Sequence, residues 1–479
     1  MTTHKFNADL IVIGAGAAGL SVASGAAQMG LRVVLIEGRE MGGDCLNYGC
    51  VPSKALIAAA ARAQAMRSAD AFGINSVDPK IDFGAVMEHV GDVIAAIAPH
   101  DSVERFEGLG VRVIRGFAQF SGPQTVTVNG ETLTARRVVV ASGSRPFVPP
   151  VPGLDDLDYL TNETVFNLRD QPEHLLILGG GPIGVELAQA FRRLGSAVTL
   201  IDSETILGRE DPEAVDLVRQ TLKEEGITLM EEGGVSSVGQ TTLKTEGRKE
   251  IWLKVGENRI SGSHLLIATG RSATVEGLGL DVAGIEADPK GIKVDQRLRT
   301  SNPKVYAIGD VVADTPSFTH VAGYHAGVVI RQVVLGLPGK ANHDLIPRVT
   351  YCAPELAQIG LTEREAREKH GDIQVIRQEL AGNDRARADR ATDGWLKLII
   401  YRGKPVGVSI IADHGGEMLA TWAQALSTKT RLSRLSGVVL PYPTVSEVSK
   451  AATGAYFSSK LFGNPWVERV ARLIQRFVP

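Results

Sequence analysis

Cys45 and Cys50 lie in the run Gly42-Gly43-Asp44-Cys45-Leu46-Asn47-Tyr48-Gly49-Cys50-Val51-Pro52-Ser53-Lys54, which holds two of the chain's 3 cysteines. Glycines precede them, and Pro52-Ser53-Lys54-Ala55 leads into Ala-rich sequence of high helix propensity. The run reads as a loop feeding the start of a helix. A thiol there feels the positive end of the helix dipole and the Lys54 ammonium. Both favour the thiolate, the form that attacks disulfides. Taken alone, the spacing also fits a structural disulfide or two buried thiols. A staple suits a secreted chain, however, and the polar stretch Met1–Asp9 has no signal-peptide layout.

Two copies of one pattern must position this loop. Leu10-Ile11-Val12-Ile13 predicts a buried parallel strand. Gly14-Ala15-Gly16-Ala17-Ala18-Gly19 follows, then an Ala-rich helical pattern, then the strand Arg32–Ile36 closed by Glu37. In such a βαβ unit the first glycine makes the tight turn and the second lets a pyrophosphate approach the backbone. The third permits close helix–strand packing, and the terminal acid binds a ribose hydroxyl. The second copy runs from Leu175–Leu178 through Gly179-Gly180-Gly181-Pro182-Ile183-Gly184 to Ala197–Ile201 and Asp202. The distance from first glycine to acid is the same in both: 37 − 14 = 23 and 202 − 179 = 23. Two such units imply two bound nucleotides. Asp202 favours a nucleotide with a free 2′-hydroxyl over one with a 2′-phosphate, because a carboxylate bonds the first and repels the second; Arg209 is a nearby counter-signal.

Elsewhere the patterns are simpler. Residues 55–110 read as largely helical. Val111–Val140 reads as β-rich, with turns at Ser121-Gly122-Pro123 and Asn129-Gly130. Pro146–Pro152 reads as a linker. From about Ile346 the composition changes, and Glu417–Ser427 has helical periodicity. Cys352 falls on an apolar strand pattern and reads as an inert core thiol. Asn383–Arg390, dense in Arg and Asp, reads as a solvated loop. His320 and His325 lack a third ligand nearby, so no metal site is expected.

The Gly42–Lys54 run closely resembles the redox-active disulfide motif of the class I flavin disulfide reductases, which include dihydrolipoamide dehydrogenase, glutathione reductase and mercuric reductase. Matching motifs follow in order from Ile11 to Glu447. The resemblance implies FAD in the first nucleotide unit (Gly14, Gly16, Gly19, Glu37, Gly43) and a nicotinamide in the second (Gly179, Gly181, Ile183, Gly184, Asp202). Gly116 and Ala118 match a segment that meets the flavin adenine. Ser142, Gly143 and Arg145 match the exit from the flavin domain, and Gly270 the return to it. Asp310 matches a carboxylate that bonds the ribityl chain, and His320 opens a helix facing the flavin. By the same resemblance Glu186 pairs with Lys54 beside the flavin, Cys50 is the flavin-side thiol and Cys45 the interchange thiol.

The chain departs from that family pattern at Leu440-Pro441-Tyr442-Pro443-Thr444-Val445-Ser446-Glu447. There the family's His–Glu acid/base pair would stand, contributed by the partner subunit. Tyr442 replaces the histidine and Glu447 remains. A phenol, with a reference pKa of about 10, can donate a proton but makes a poor resting base. Mercuric reductase has a tyrosine at the matching position, yet its C-terminal vicinal cysteines are missing here. The tail from Pro465 carries Trp466, Val467, Val470, Leu473, Ile474 and Phe477 on one helical face and Arg469, Arg472 and Arg476 on the other. Packing on the protein or its dimer partner, and lying on an anionic membrane, both fit that pattern.

The expected architecture is α/β: two Rossmann-like FAD and NAD(P) domains and a C-terminal α+β dimerisation domain. The boundaries are 1–150 for the first part of the FAD domain, 151–270 for the NAD(P) domain, 271–345 for the return, 346–454 for dimerisation and 455–479 for the tail. With 51 Lys and Arg against 54 Asp and Glu, the net charge of −3 gives no field for nucleic acid. No apolar run reaches a membrane span. The Asn162-Glu163-Thr164 sequon reads as chance. The expectation is a cytoplasmic homodimer, with possible contact between tail and inner membrane face. It would pass electrons from NADH, or NADPH, through FAD and Cys45–Cys50 to a small-molecule or protein disulfide. The alternatives are a quinone or metal-ion reductase and a redox sensor; a purely structural role has no support.

Overall fold

The computed structural model describes residues 6–242 and 249–478. They fall into two compact units. One runs to Asp70 and continues through Asn75–Glu204 and Gly226–His343; the other gathers Ala71–Ile74, Thr205–Glu225 and the chain from Asp344 on.

In the first unit, β1 (Ala8–Ile13) pairs in parallel with β2 (Val33–Glu37) and with the long strand Glu131–Val140. These belong to a seven-stranded sheet. The C-terminal half of Glu131–Val140 pairs in parallel with Val305–Ala307, and its N-terminal half turns back antiparallel on Thr125–Val128. The hairpin turn between them is Asn129-Gly130, both residues at positive φ. Alternation along β1 builds two cores. Leu10 and Val12 join the side covered by the helix α1 (Ala17–Gln28), while Ile11 and Ile13 join the other. Each of these fully buried side chains contributes about 1.5–3 kcal/mol. The second βαβ unit builds a four-stranded parallel sheet from Thr228–Met230, Ala197–Ile201, His174–Leu178 and His264–Ile267. Where the chain leaves and re-enters the first sheet region, Ser144–Pro146 pairs antiparallel with Arg271–Ala273.

The helical reading of 55–110 holds apart from a break before Phe83, where Asp82 caps the helix Phe83–Ile97 by accepting from Ala85 N. The redox run forms two helices, α2 (Gly43–Asn47) and α3 (Cys50–Arg67).

The second unit is built on a five-stranded antiparallel sheet ordered Arg348–Thr350, Glu355–Gly360, Lys404–Ala412, Trp395–Tyr401 and Gln374–Glu379. Helices Gly415–Ser427 and Glu447–Leu461 cover it, with Trp422 and Val448 in the core. The buried Lys397 ammonium is neutralised by Asp211 at 2.9 Å and Glu213 at 2.7 Å.

Two local expectations fail. Cys352 is buried, but it sits in the bend between two strands, where Pro354 has no N–H to continue a ladder. Asn383–Arg390 is not a solvated loop. Asp384–Ala388 is a short helix capped by Asn383, whose Oδ1 accepts from Ala386 N and whose Nδ2 donates to Thr444 O at 3.0 Å. Polar composition concealed a capping signal.

Candidate active site

The two glycine triplets divide their labour identically. A Cβ at Gly14 would lie 2.3 Å from Ala141 O, and one at Gly179 2.4 Å from Ala268 O. Both residues also have positive φ, so only glycine makes the turn. A Cβ at Gly19 would lie 1.8 Å from Gly14 O, and one at Gly184 1.9 Å from Gly179 O, so helix and strand touch there. The middle glycines are different. A Cβ at Gly16 would meet nothing nearer than Gly43 Cα at 3.9 Å, and at Gly181 nothing within 4 Å. That is the space a pyrophosphate needs at a helix N-terminus. The closing acids sit over these turns. Glu37 accepts from Ala15 N at 2.5 Å and Asp202 from Gly180 N at 2.5 Å, each with one further backbone donor. Both cradles fit a dinucleotide.

The redox loop docks on the first cradle. Gly42 N donates to Ala15 O at 2.9 Å, and a Cβ at Gly43 would lie 2.7 Å from Gly16 Cα. Asn47 holds the loop shut through Met41 O and Gly43 O. Asp44 is fixed by Arg271 at 3.1 Å and Asn162 at 3.0 Å. Cys45 and Cys50 carry free thiols, half-buried and exposed respectively.

Cys50 is the first residue of α3, and its sulfur lies 3.4 Å from the hydroxyl of Thr319, the first residue of the helix Thr319–Val333. Two helix N-termini therefore meet at one sulfur. Its pKa is pulled down to about 6. A hydrogen bond from the Cys45 thiol is the largest cause; Thr319 and the Lys54 charge add to it, against burial. The Cys45 pKa is pushed up, first by that same hydrogen bond and then by burial. The pair thus holds one proton on Cys45 and a thiolate on Cys50.

One turn into α3, Lys54 Nζ reaches Glu186 Oε2 at 2.8 Å, on the helix Pro182–Arg193 of the second nucleotide unit. Glu186 is buried, so the predicted pair forms with its carboxylate shielded from water. Asp310 follows the strand Val305–Ala307 and accepts from Ser144 at 2.8 Å. Burial raises its pKa against the pull of Ser144 and Arg271.

Other predicted residues hold simpler places. Ser142 Oγ donates to Thr274 O, Gly143 and Gly270 have positive φ, and Ala118 is buried. Gly116 lies against the Asn129 side chain. Arg145 pairs on the surface with Glu276. Ile183 is partly exposed, and His320 is exposed and stacks on Phe318. His325 turns inward, accepting from Gly309 N at 3.2 Å and meeting His343 Nε2 at 2.7 Å. Among the described residues no group of three or more His, Cys, Asp or Glu could hold a metal ion.

In the second unit, the Tyr442 hydroxyl donates to Asp384 Oδ2 at 3.0 Å. Glu447 opens the helix Glu447–Leu461 and acts on the phenol only as a more distant charge. Asp384 is thus the hydrogen-bond acceptor of the phenol, which keeps its proton, and Glu447 acts on it through charge alone. Asp384 raises the phenol pKa by this hydrogen bond and by its charge.

Sequence reasoning missed Thr319, Arg271, Asp44, Asn162 and Asp384. Thr319, Arg271 and Asp44 stood inside recognised segments, Asn162 inside the Asn162-Glu163-Thr164 sequon and Asp384 inside a run read as a loop.

The pyridine nucleotide-disulphide oxidoreductase family matches residues 8–326, and its dimerisation domain matches residues 346–453. A mercuric reductase of Streptomyces lividans is 35% identical, over 94% of this chain and 96% of that one. A dihydrolipoyl dehydrogenase of Thermus scotoductus is 35% identical, over 92% and 95%. Among solved structures, the HOCl-induced flavoprotein disulfide reductase RclA of Escherichia coli superposes with a TM-score of 0.83 at 28% identity, over 93% of this chain and 99% of that one. The Cu(II) complex of RclA superposes with the same TM-score at 27% identity.

Proposed function

This chain belongs to the pyridine nucleotide-disulphide oxidoreductases, FAD-dependent enzymes that draw electrons from NAD(P)H, and on that premise we propose that it carries electrons from NADH through Cys45 and Cys50 to a disulfide acceptor. The observation that carries the reading is the Cys45–Cys50 pair at the N-terminus of α3, with Lys54–Glu186 one turn further on. When bound, FAD supplies the two-electron relay between nicotinamide and thiols. Lys54 places a cation where negative charge develops, and Glu186 holds Lys54 there. Cys45 passes its proton to the Cys50 thiolate and, now a thiolate, attacks one sulfur of the substrate disulfide; that S–S bond breaks and the departing substrate thiolate takes the proton from Cys50. Cys50 then attacks the Cys45 sulfur. The pair ends oxidised, and the second substrate thiolate takes a proton from solvent. Asp202 supports NADH as donor, and the dimerisation domain supports a homodimer.

One observation favours a second reading, a metal-ion or quinone reductase. The Tyr442 proton is committed to Asp384, so the phenol offers neither a ready acid nor a base for thiol exchange. A thiol beside a thiolate is also a soft donor pair for a thiophilic ion. Relatives named mercuric reductase, and a Cu(II) complex of RclA, fit that chemistry. The test is NADH oxidation with lipoamide, glutathione disulfide, quinones, Hg(II) and Cu(II), using wild type and Cys45→Ser side by side. Disulfide turnover lost in the variant supports the first reading. Turnover of metal ions alone supports the metal arm of the second, and quinone turnover equal in both proteins supports its quinone arm.

A further inference from the structure

We propose that the C-terminal helix Pro465–Ile474, with Phe477 behind it, docks this enzyme on an anionic lipid bilayer surface. The inference is independent of which acceptor the thiols serve. The helix starts itself: Asn464 accepts from Trp466 N at 3.1 Å and Pro465 occupies the first turn. At 100° per residue, Trp466, Val467, Val470, Leu473 and Ile474 share one arc and Arg469 and Arg472 flank it on one side, with Arg476 and Phe477 in the turn that follows. The sequence left open whether the apolar arc packs on its own chain. Most of it does not: Val467 and Val470 are half-buried, but no residue of the helix is buried, and Trp466 is 71%, Phe477 79%, Leu473 54% and Ile474 50% exposed. Among the described residues, the core of the second unit takes in Tyr456 and Phe457 of the preceding helix and includes nothing beyond. The dimerisation-family match also ends before this helix, at residue 453.

Charge selects the occupant. From Lys460 on, Lys460, Arg469, Arg472 and Arg476 against Glu468 give 4 − 1 = +3, on a protein of net −3. The rest of the chain is therefore −6. A second copy of the tail carries the same positive charge and would meet like with like. An anionic bilayer attracts the arginines, receives Trp466 and Phe477 into its interface and repels the acidic body, so the enzyme lands tail-first. Among the described residues no helix is long and apolar enough to cross a membrane, so the contact is superficial.

The test is co-sedimentation of full-length holoenzyme with vesicles of phosphatidylcholine alone and of equal parts phosphatidylcholine and phosphatidylglycerol. Binding to the anionic vesicles only, weakened by salt, is expected. A basic residue near such a surface is worth about a fivefold change in affinity, so Arg469→Gln/Arg472→Gln/Arg476→Gln should lose on the order of a hundredfold. Trp466→Ser/Phe477→Ser should lose binding while keeping flavin content and activity with a soluble acceptor. Wild type remaining in the supernatant with anionic vesicles overturns the proposal. So does vesicle binding unchanged in both variants. A third overturning result is loss of the dimer, by light scattering, in Trp466→Ser/Phe477→Ser, which would assign the arc to a second copy.

Discussion

Replacing Thr319 by valine removes one hydroxyl and almost no volume, and it should raise the Cys50 pKa. Thr319 is one of three groups that hold that thiol near 6, and it contributes a hydrogen bond at 3.4 Å to the sulfur. A hydrogen bond to a charged acceptor is worth about 1.5–3 kcal/mol; the lower end applies to a sulfur open to solvent. At 1.36 kcal/mol per unit, that moves the pKa by about one, to about 7. At pH 6.5 the thiolate fraction then falls from about three-quarters to about one-quarter, a roughly threefold loss of alkylation rate. The assay is iodoacetamide labelling of the dithionite-reduced holoenzyme between pH 5 and 9 (~4 units about the value in question), with the modified cysteine identified by fragment mass spectrometry. Wild type should label first at Cys50, with an inflection near 6, and Thr319→Val should move that inflection upward. An unmoved inflection, or Cys45 labelling first in wild type, would refute the assignment of the proton to Cys45.

Four further outcomes are expected. Glu186→Gln should slow flavin reduction by NADH in stopped flow by about ten- to a hundredfold, because Lys54 loses the carboxylate that positions it; an unchanged rate would remove the pair from hydride transfer. Gly19→Ala puts a methyl 1.8 Å from the Gly14 carbonyl and should yield protein without visible flavin absorbance; a yellow variant would contradict the cradle. Asp384→Asn removes the anion that raises the Tyr442 phenol, so the Tyr442 13Cζ signal, assigned with Tyr442→Phe, should titrate at lower pH than in wild type. Burial, with His343 beside it, holds His325 near 4 against an ordinary 6.5. Between those values the unfolded chain binds a proton that the fold refuses, so stability falls as pH drops through that window. His325→Gln should flatten the corresponding loss of Tm in calorimetry, and an unchanged slope would remove His325 as its source.

What the sequence disclosed was local. The glycine triplets were legible because a turn, a phosphate gap and a helix contact each constrain one position within a short window. The Lys54–Glu186 pair was reachable only by resemblance, since 132 positions separate the two residues. Thr319 stands 269 positions from Cys50, and nothing near either one announces the contact. Asp384 was hidden differently. Its charged surroundings suggested solvent, whereas Asn383 spends its side chain on a cap and on the Thr444 carbonyl and so fixes the helix to the Tyr442 loop. Cys352 was misplaced because apolar neighbours suggest a strand even where Pro354 interrupts the ladder. The tail's periodicity was plain from its residues, but whether anything in its own chain covered it was a question of tertiary packing.

The glycine-to-glycine contact between residues 16 and 43 has a consequence for how this enzyme tolerates change. Position 43 cannot gain a side chain without moving position 16, because a methyl there would lie 2.7 Å from Gly16 Cα, whereas a methyl at position 16 would clear Gly43 at 3.9 Å and fill the phosphate gap instead. In a randomised library sorted only for yellow protein, position 43 should therefore return glycine almost as strictly as position 16, even with Cys45 and Cys50 both already replaced by serine. The nucleotide turn and the thiol loop behave as one heritable part, so selection on either carries the other along.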